Sequence, residues 1–199
     1  MKKIGMLFAL LAGALLAAQA QAQASGQWYI GAGGGSVWSD GASPYPDTQD
    51  DGVATGYKVY GGAIGENWGM ELGYYHFGAY DVNFNNVKVA ESSLESVVPA
   101  IVYAMDFYTG YVFHAKLGIA FTQYKYTCVS SCGVGVPANL TTKETGLSGM
   151  WGLGVGARFT KNFEMRMDWE HFGAVHEAVN TTTFKDAYDM FSVSAQLNF

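Results

Sequence analysis

Six charged side chains are spaced so that they can face one another inside a narrow protein interior. They are Lys58, Glu71, His114, Lys116, Arg166 and Asp168. Each lies in a segment where every second residue is apolar, and each falls between the apolar residues. All six are therefore expected on the side of their strand that is opposite to the apolar side. Opposite charges brought together out of water form ion pairs. These residues predict an ionic network that fills the interior, with a narrow or gated pore as the alternative.

The histidines offer a second kind of chemistry, because an imidazole close to a serine hydroxyl can activate it as a nucleophile. A serine two residues after the histidine would have that arrangement, but His76, His114, His171 and His176 are followed there by Gly78, Lys116, Gly173 and Ala178. A further group of ligand-capable types, Glu170, His171, His176 and Glu177, is explained more simply by a solvated loop. We therefore expect no catalytic residue, metal site or cofactor, and a lipid-modifying enzyme stays a distant alternative.

The two cysteines, Cys128 and Cys132, lie in a polar stretch that also contains glycine and proline. An exported chain meets an oxidising compartment, so this pair predicts a small disulfide in an exposed loop. Zinc binding is the weaker alternative, because a structural zinc site needs four ligands.

The elements that carry these residues alternate apolar and polar side chains with a period of two, which predicts β-strands. We place the strands at about Gln27 to Trp38, Val53 to Ile64, Trp68 to Tyr80, within Val87 to Ala104, Phe107 to Tyr124, Thr145 to Phe159, Phe163 to Phe172, and Tyr188 to Phe199. After Ala18 the sequence has no run of 18 apolar residues, so a helical membrane span is excluded. An even number of strands closes an antiparallel barrel, the spanning structure that leaves no backbone group unpaired in lipid.

The connections between these strands fall into two classes. Short turns are predicted at Gly65 to Asn67, at Met105 and Asp106, and at Thr160 to Asn162, whereas long loops are predicted at about 39–52, 81–86, 125–144 and 173–187. The run Gly31 to Gly35 lies within an aromatic-ended strand and precedes no helix. We expect it to allow close approach of neighbouring groups rather than to bind phosphate.

On the second, third, fifth, sixth and seventh strands the apolar parity carries no charge, as the lipid face of a membrane barrel requires. A soluble β-sandwich is the alternative, because it also alternates. Aromatic residues at strand ends, such as Trp28, Trp38, Trp68 and Trp169, favour the barrel, whose two interfaces carry aromatic girdles. The facing of the fourth strand stays open: Val98, Ala100 and Val102 indicate one parity, and Ile101 and Tyr103 the other, unless a bulge near Pro99 reconciles them.

The N-terminal residues 1–24 predict a secretory signal peptide, with Lys2 and Lys3 before an apolar stretch and small residues at Ala22 to Ala24. A membrane-anchoring helix is the alternative, but the apolar stretch is short for one. Residues 25–199 then form one barrel domain. Losing both lysines shifts the formal charge from −6 to −8, which argues against a nucleic-acid partner.

The chain ends in a strand with apolar residues at every second position: Phe191, Val193, Ala195, Leu197 and Phe199. This ending resembles the closing strand of bacterial outer-membrane proteins, which is read by the barrel assembly machinery. The chain as a whole resembles the OmpA-like family of small eight-stranded outer-membrane barrels. The resemblance is carried by Trp28 to Ala32, Gly69 to Tyr74, Ala115 to Gly118 and, most specifically, Gly152 to Trp169.

The resemblance implies a location in the outer membrane of a Gram-negative bacterium, and an all-β, up-and-down antiparallel transmembrane barrel of eight strands. It also implies that Glu71 is a lumenal glutamate paired with Lys116 and Arg166. Because eight strands leave an interior just wide enough for side chains, we expect a filled barrel with a structural or surface-interaction role. Its expected partners are outer-membrane lipid and lipopolysaccharide, the assembly machinery, and host or environmental ligands of the loops.

Overall fold

The computed structural model describes residues 26–39, 53–84, 87–128, 141–179 and 182–199. In this part of the chain, no helix has the length and apolarity needed to cross a membrane. The predicted signal peptide and Cys132 lie outside the described residues, as does the side chain of Cys128. The predicted disulfide therefore stays a prediction.

The described chain forms eight strands, all joined to their neighbours in antiparallel pairs. They are β1 (Gln27–Ser39), β2 (Val53–Ile64), β3 (Trp68–Phe84), β4 (Val87–Tyr108), β5 (Tyr111–Cys128), β6 (Thr141–Thr160), β7 (Phe163–Val179) and β8 (Thr182–Asn198). Neighbours in sequence are neighbours in the sheet, and β8 pairs with β1 to close the barrel. The predicted fold class, an up-and-down barrel of eight strands, is confirmed.

The outer surface of the barrel is formed by the apolar residues at every second position of its strands. Side chains exposed there include Val59, Met70, Leu117, Leu153, Val155, Met167, Phe191, Val193 and Leu197. Charged residues that alternate with these on the same strands are buried, among them Lys58, Glu71, Lys116, Arg166 and Asp168. Since lipid rather than water must meet this surface, the alternation places apolar groups outside and charges inside.

Aromatic side chains pair across neighbouring strands at two levels of the outer surface. Near the short turns, the rings of Trp68 and Tyr103 lie 4.9 Å apart. Towards the other end, the rings of Trp151 and Trp169 also lie 4.9 Å apart, and Tyr57 contacts Tyr74. These two levels have the positions of the aromatic girdles of a membrane barrel, with an uncharged band between them.

The fourth strand, whose facing the sequence left open, turns its valines and alanine to the interior and its isoleucine to the lipid. Val98, Ala100 and Val102 are buried inside, whereas Ile101 is exposed on the outer surface. Pro99 lies opposite Leu72 with no change of register, so the bulge expected at Pro99 is wrong. The extra residue belongs instead to β3.

The bulge in β3 lies between His76, which pairs with Glu95, and Ala79, which pairs with Ser93. Over this interval β3 advances by three residues and β4 by two, so β3 contains one extra residue. Gly78 takes a φ of +86°, a conformation that glycine adopts without steric cost. Phe77 and Gly78 are both buried, and Ala79 is exposed, so the inside-outside alternation of β3 changes phase at the bulge.

Four predicted connections are wrong in their bounds. The turn between β4 and β5 is at Thr109 and Gly110, since Met105 and Asp106 still pair with Phe113 and Val112. The segments predicted as loops at 81–86 and 173–187 are largely strand, and the one at 125–144 is strand at both of its ends. The strands they join are separated by 85–86, 180–181 and 129–140. Strands that project beyond the apolar band meet water on their outer face, so their sequence loses the apolar alternation that marked the rest.

The depth of the apolar band can be tested on β6, where Val155 lies four residues from both Trp151 and Phe159. We expect Val155→Arg to lower the free energy of unfolding by about 2 to 4 kcal/mol, because the charge lies at the midplane. Leu147→Arg on the same face, four residues beyond Trp151, should cost about 0 to 1 kcal/mol at the interface. Urea unfolding in lipid vesicles measures both, and equal losses at the two positions would contradict the assigned band.

Candidate functional site

In the described part of the chain, six charged side chains near the centre of the barrel interior lie together and are almost fully removed from solvent. Lys58 on β2, Glu71 on β3 and Lys116 on β5 point inward, as do Arg166, Asp168 and Glu170 on β7. The first five were predicted as lumenal residues. Three are cations and three are carboxylates, so their formal charges cancel.

These six groups form a closed ring in which every charge touches two opposite charges; we call it the ion-pair ring. Lys58 Nζ lies 2.8 Å from Asp168 Oδ2 and 2.7 Å from Glu170 Oε2. Lys116 Nζ lies 2.8 Å from Glu170 Oε1 and 2.7 Å from Glu71 Oε1. Arg166 closes the ring, 3.5 Å from Glu71 Oε2 through Nη1 and 3.1 Å from Asp168 Oδ1 through Nη2.

Three tyrosines complete the surroundings of the ring. The Tyr60 ring centroid lies 5.5 Å from Lys58 Nζ, 5.2 Å from Lys116 Nζ and 5.0 Å from Arg166 Cζ, so one aromatic ring is shared by all three cations. Tyr29 donates a hydrogen bond to Glu71, and Tyr75 donates one to Glu170. Buried charges are tolerated when such neighbours satisfy them.

Glycines on β1 and β6 make room for these side chains. A Cβ atom on Gly31 would collide with the ring of Tyr60, and one on Gly154 would collide with the carboxylate of Asp168. The expectation that the glycine run of β1 allows close approach is confirmed at Gly31. These strands therefore carry glycine on their inward face at the points where large side chains of other strands pack against them.

The lumen is filled on both sides of the ion-pair ring. Towards the long-loop end lies a layer of buried apolar side chains: Val37, Tyr75, Phe77, Leu94, Val98, Ala100, Ala120, Met150, Phe172, Tyr188 and Met190. Towards the short-turn end, Gln27, His114, Arg158 and Gln196 are among the residues around a cavity of about 20 Å³. That volume suits about one water molecule.

His114, the sixth predicted lumenal residue, lies in the interior but outside the ring. Its Nε2 is 2.7 Å from Glu164 Oε1. Arg158 Nε contacts the other oxygen of Glu164 at 3.3 Å, and Arg158 Nη1 lies 2.8 Å from Asp106. These four residues form a second, smaller ionic cluster near the short turns.

Glu170 is the member of the ring that the sequence analysis assigned elsewhere, to a solvated loop cluster. That assignment is wrong: Glu170 is fully buried and joins Lys58 to Lys116. Its parity, two residues beyond Asp168 and four beyond Arg166, was the signal that could have identified it. Its neighbour His171 faces outward and contacts Asp189 at 3.1 Å, while the side chains of His176 and Glu177 lie outside the described residues.

Among the described residues, no three His, Cys, Asp or Glu side chains are grouped so that they could hold a metal ion. The ring itself already pairs each carboxylate with two cations of the chain.

Residues 8–199 match the family model described as the outer membrane protein beta-barrel domain. No curated protein matches the sequence. Similar solved structures include Neisserial surface protein A (13% identity, 86% of this chain and 97% of that one, TM-score 0.63) and the outer membrane protein OprG from Pseudomonas aeruginosa (13%, 88% and 96%, 0.61). The attachment invasion locus protein Ail of Yersinia pestis, in complex with the heparin analogue sucrose octasulfate, is similar as well (12%, 88% and 99%, 0.53).

The importance of the ring can be tested at Glu170. We expect Glu170→Gln to lower the free energy of unfolding by about 3 kcal/mol, because Lys58 and Lys116 lose a shared counter-charge while both stay buried. Glu66→Gln, at an exposed turn position, removes the same charge and should change stability by less than about 0.5 kcal/mol. Urea unfolding in vesicles measures both; similar values for the two variants would contradict the role given to the ring.

Proposed function

This chain belongs to the family of outer membrane protein β-barrel domains, and we propose that it is a non-enzymatic surface protein of the Gram-negative outer membrane. Its barrel serves as a closed, rigid support. Its long-loop end carries the interactions with other molecules.

The observation that carries this proposal is the closure of the lumen by the ion-pair ring. An open pore needs a continuous aqueous path, and here a charged ring, an apolar layer and a smaller ionic cluster follow one another along the axis. Opening a path would separate Lys116 from Glu71 or Lys58 from Asp168. Leaving a buried charge without its partner costs several kcal/mol, which favours a structural filling over a gate.

The strands support a raised long-loop end. β3, β4, β5, β6 and β7 all continue well past the aromatic level marked by Tyr57 and Trp151. Such extensions hold the connecting segments away from the lipid, where they can meet soluble ligands. We propose host or environmental surface molecules as the ligands of these segments, and the barrel assembly machinery as the partner of the terminal strand that ends at Phe199.

We propose no catalytic residue for this protein. His114 faces Glu164 inside the lumen, and His171 faces Asp189 on the outer surface. Neither histidine precedes a serine at the spacing that would suit hydroxyl activation.

Conductance tests the closed lumen. We expect planar lipid bilayers containing the protein, or its Glu71→Gln variant, to show no discrete conductance steps, because the apolar layer stays in place when one charge of the ring is removed. An open-lumen porin serves as the positive control for insertion. Reproducible steps with the unaltered protein would contradict the structural role and favour the narrow pore.

Surface interaction is tested by shortening the segments between strands. We expect deletion of residues 131–138, or of 42–50, to reduce adhesion of whole cells to host or environmental surfaces while the barrel keeps its heat-modifiable gel migration. The matched control replaces Lys161 and Asn162 in a short turn at the opposite end, which should leave adhesion unchanged. If adhesion and serum survival are unaffected by every deletion, the role is purely structural.

A further inference from the structure

Two side-chain nitrogens in the lumen are buried and have no hydrogen-bond partner among the described residues. They are Nδ1 of His114 and Nε of Arg166. The two side chains are 4% and 1% exposed, so bulk water does not reach either atom. Buried polar groups of folded proteins are bonded either to the chain or to an ordered water molecule, and these two nitrogens call for such a partner.

Both residues line the same cavity, the one of about 20 Å³ at the short-turn end of the lumen. A polar cavity holds a water molecule when it offers at least about 10 to 15 Å³ and two to four polar partners. The cavity meets the first condition by its volume. Arg166 and His114 meet the second by their free nitrogens.

The charges around the cavity indicate a neutral occupant. Arg158 and Arg166 line it, which disfavours a metal ion, and the carboxylate of Glu164 also lines it, which disfavours an anion. A guanidinium N–H can only donate a hydrogen bond, so the occupant must accept one from Arg166 Nε. A water oxygen accepts this bond and keeps both of its own hydrogens for other partners.

The other ring nitrogen of His114 decides what this residue offers to the cavity. His114 Nε2 lies 2.7 Å from Glu164 Oε1, and an ionised carboxylate only accepts hydrogen bonds. The proton of a neutral imidazole therefore lies on Nε2, which leaves Nδ1 with a lone pair. A water molecule that accepts from Arg166 Nε can donate to this lone pair, so one molecule satisfies both atoms.

A water molecule in this position joins the two ionic networks of the lumen. Arg166 belongs to the ion-pair ring, and His114 belongs to the second cluster, which continues through Glu164 and Arg158 to Asp106. The Arg158 and Asp106 side chains are 33% and 65% exposed, whereas the apolar layer closes the other side of the ring. Water therefore reaches the cavity from the short-turn end.

We propose that this cavity is the binding site of one internal water molecule, which accepts a hydrogen bond from Arg166 Nε and donates one to Nδ1 of a neutral His114. The water links the ion-pair ring to the short-turn end of the lumen. This site is independent of the proposed function, because it does not depend on what the long-loop end binds.

Nuclear magnetic resonance of the purified protein, folded in detergent and labelled at the nitrogens of arginine and histidine, observes both atoms. We expect a rotating-frame cross-peak between Arg166 Nε–H and a bound water molecule. At about pH 8, where a free imidazole is neutral, His114 should show an unprotonated Nδ1 and a protonated Nε2. His171 is the control for the opposite tautomer, because its Nδ1 faces the carboxylate of Asp189 at 3.1 Å.

The variant Val102→Ile tests the cavity itself. Val102 lines it, and one added methylene group takes up about the space of one water molecule, roughly 30 Å³. We expect the water cross-peak to disappear and the unfolding equilibrium constant to rise by about tenfold or more, because two buried nitrogens lose their partner. Val98→Ile adds the same group in the apolar layer and should keep the cross-peak.

A dry cavity would give the opposite result, because a methylene group that fills an empty space stabilises a protein. A lower unfolding constant in Val102→Ile, or a water cross-peak that survives in it, would therefore overturn the proposal. A missing cross-peak in the unaltered protein, or a His114 proton on Nδ1 in place of Nε2, would overturn it as well. These two readings on the unaltered protein decide the matter even where a variant fails to fold.

Discussion

Three buried cations and three buried carboxylates, alternating in one closed ring, are the interaction on which the rest of this barrel depends. Each of these charges would be costly to bury alone, and each is flanked by two of opposite sign. The ring joins β2, β3, β5 and β7 across the lumen, including Lys58 and Asp168, which lie 110 positions apart in the sequence. Moving any one of these four strands out of register would leave buried charges without partners, so the ring selects one arrangement of the wall.

The wall is shaped by what the ring requires. Tyr60 reaches the three cations because Gly31, on the neighbouring strand, has no side chain in its path, and Asp168 fits against Gly154 for the same reason. Beyond the ring the interior changes from charged to apolar, and the bulge at Gly78 in β3 lies in that region. A barrel of eight strands has little interior to share, so large side chains on one strand are matched by glycines on the strands beside them.

The fold was largely predictable because the lipid imposes a rule that a single sequence reveals: charges must avoid one parity of every spanning strand. The same rule identified Lys58, Glu71, Lys116, Arg166 and Asp168 as interior residues. The rule failed for the parts of the strands that extend beyond the lipid, where a charge on either parity carries no penalty. Beyond the apolar band no alternation marks the strands, so segments such as 173–187 were taken for loops. Glu170 shares the parity of Arg166 and Asp168, but it was grouped with the polar residues that follow it rather than with the lumenal network. The sequence alone could not predict that the six charges form a closed ring, because the ring depends on the register between strands that are not adjacent.

The cations of this barrel therefore occur in two contrasting settings. Inside, every cation of the ring has two carboxylates of the same chain, and the ring is neutral as a whole, so the formal charge of −6 comes from the rest of the chain. Outside, Lys125 and Lys143 face each other although the chain has more acidic than basic residues to offer. Burial explains the difference, because a buried charge needs a partner within the protein. An exposed lysine is solvated by water, so its stability does not depend on an ion pair.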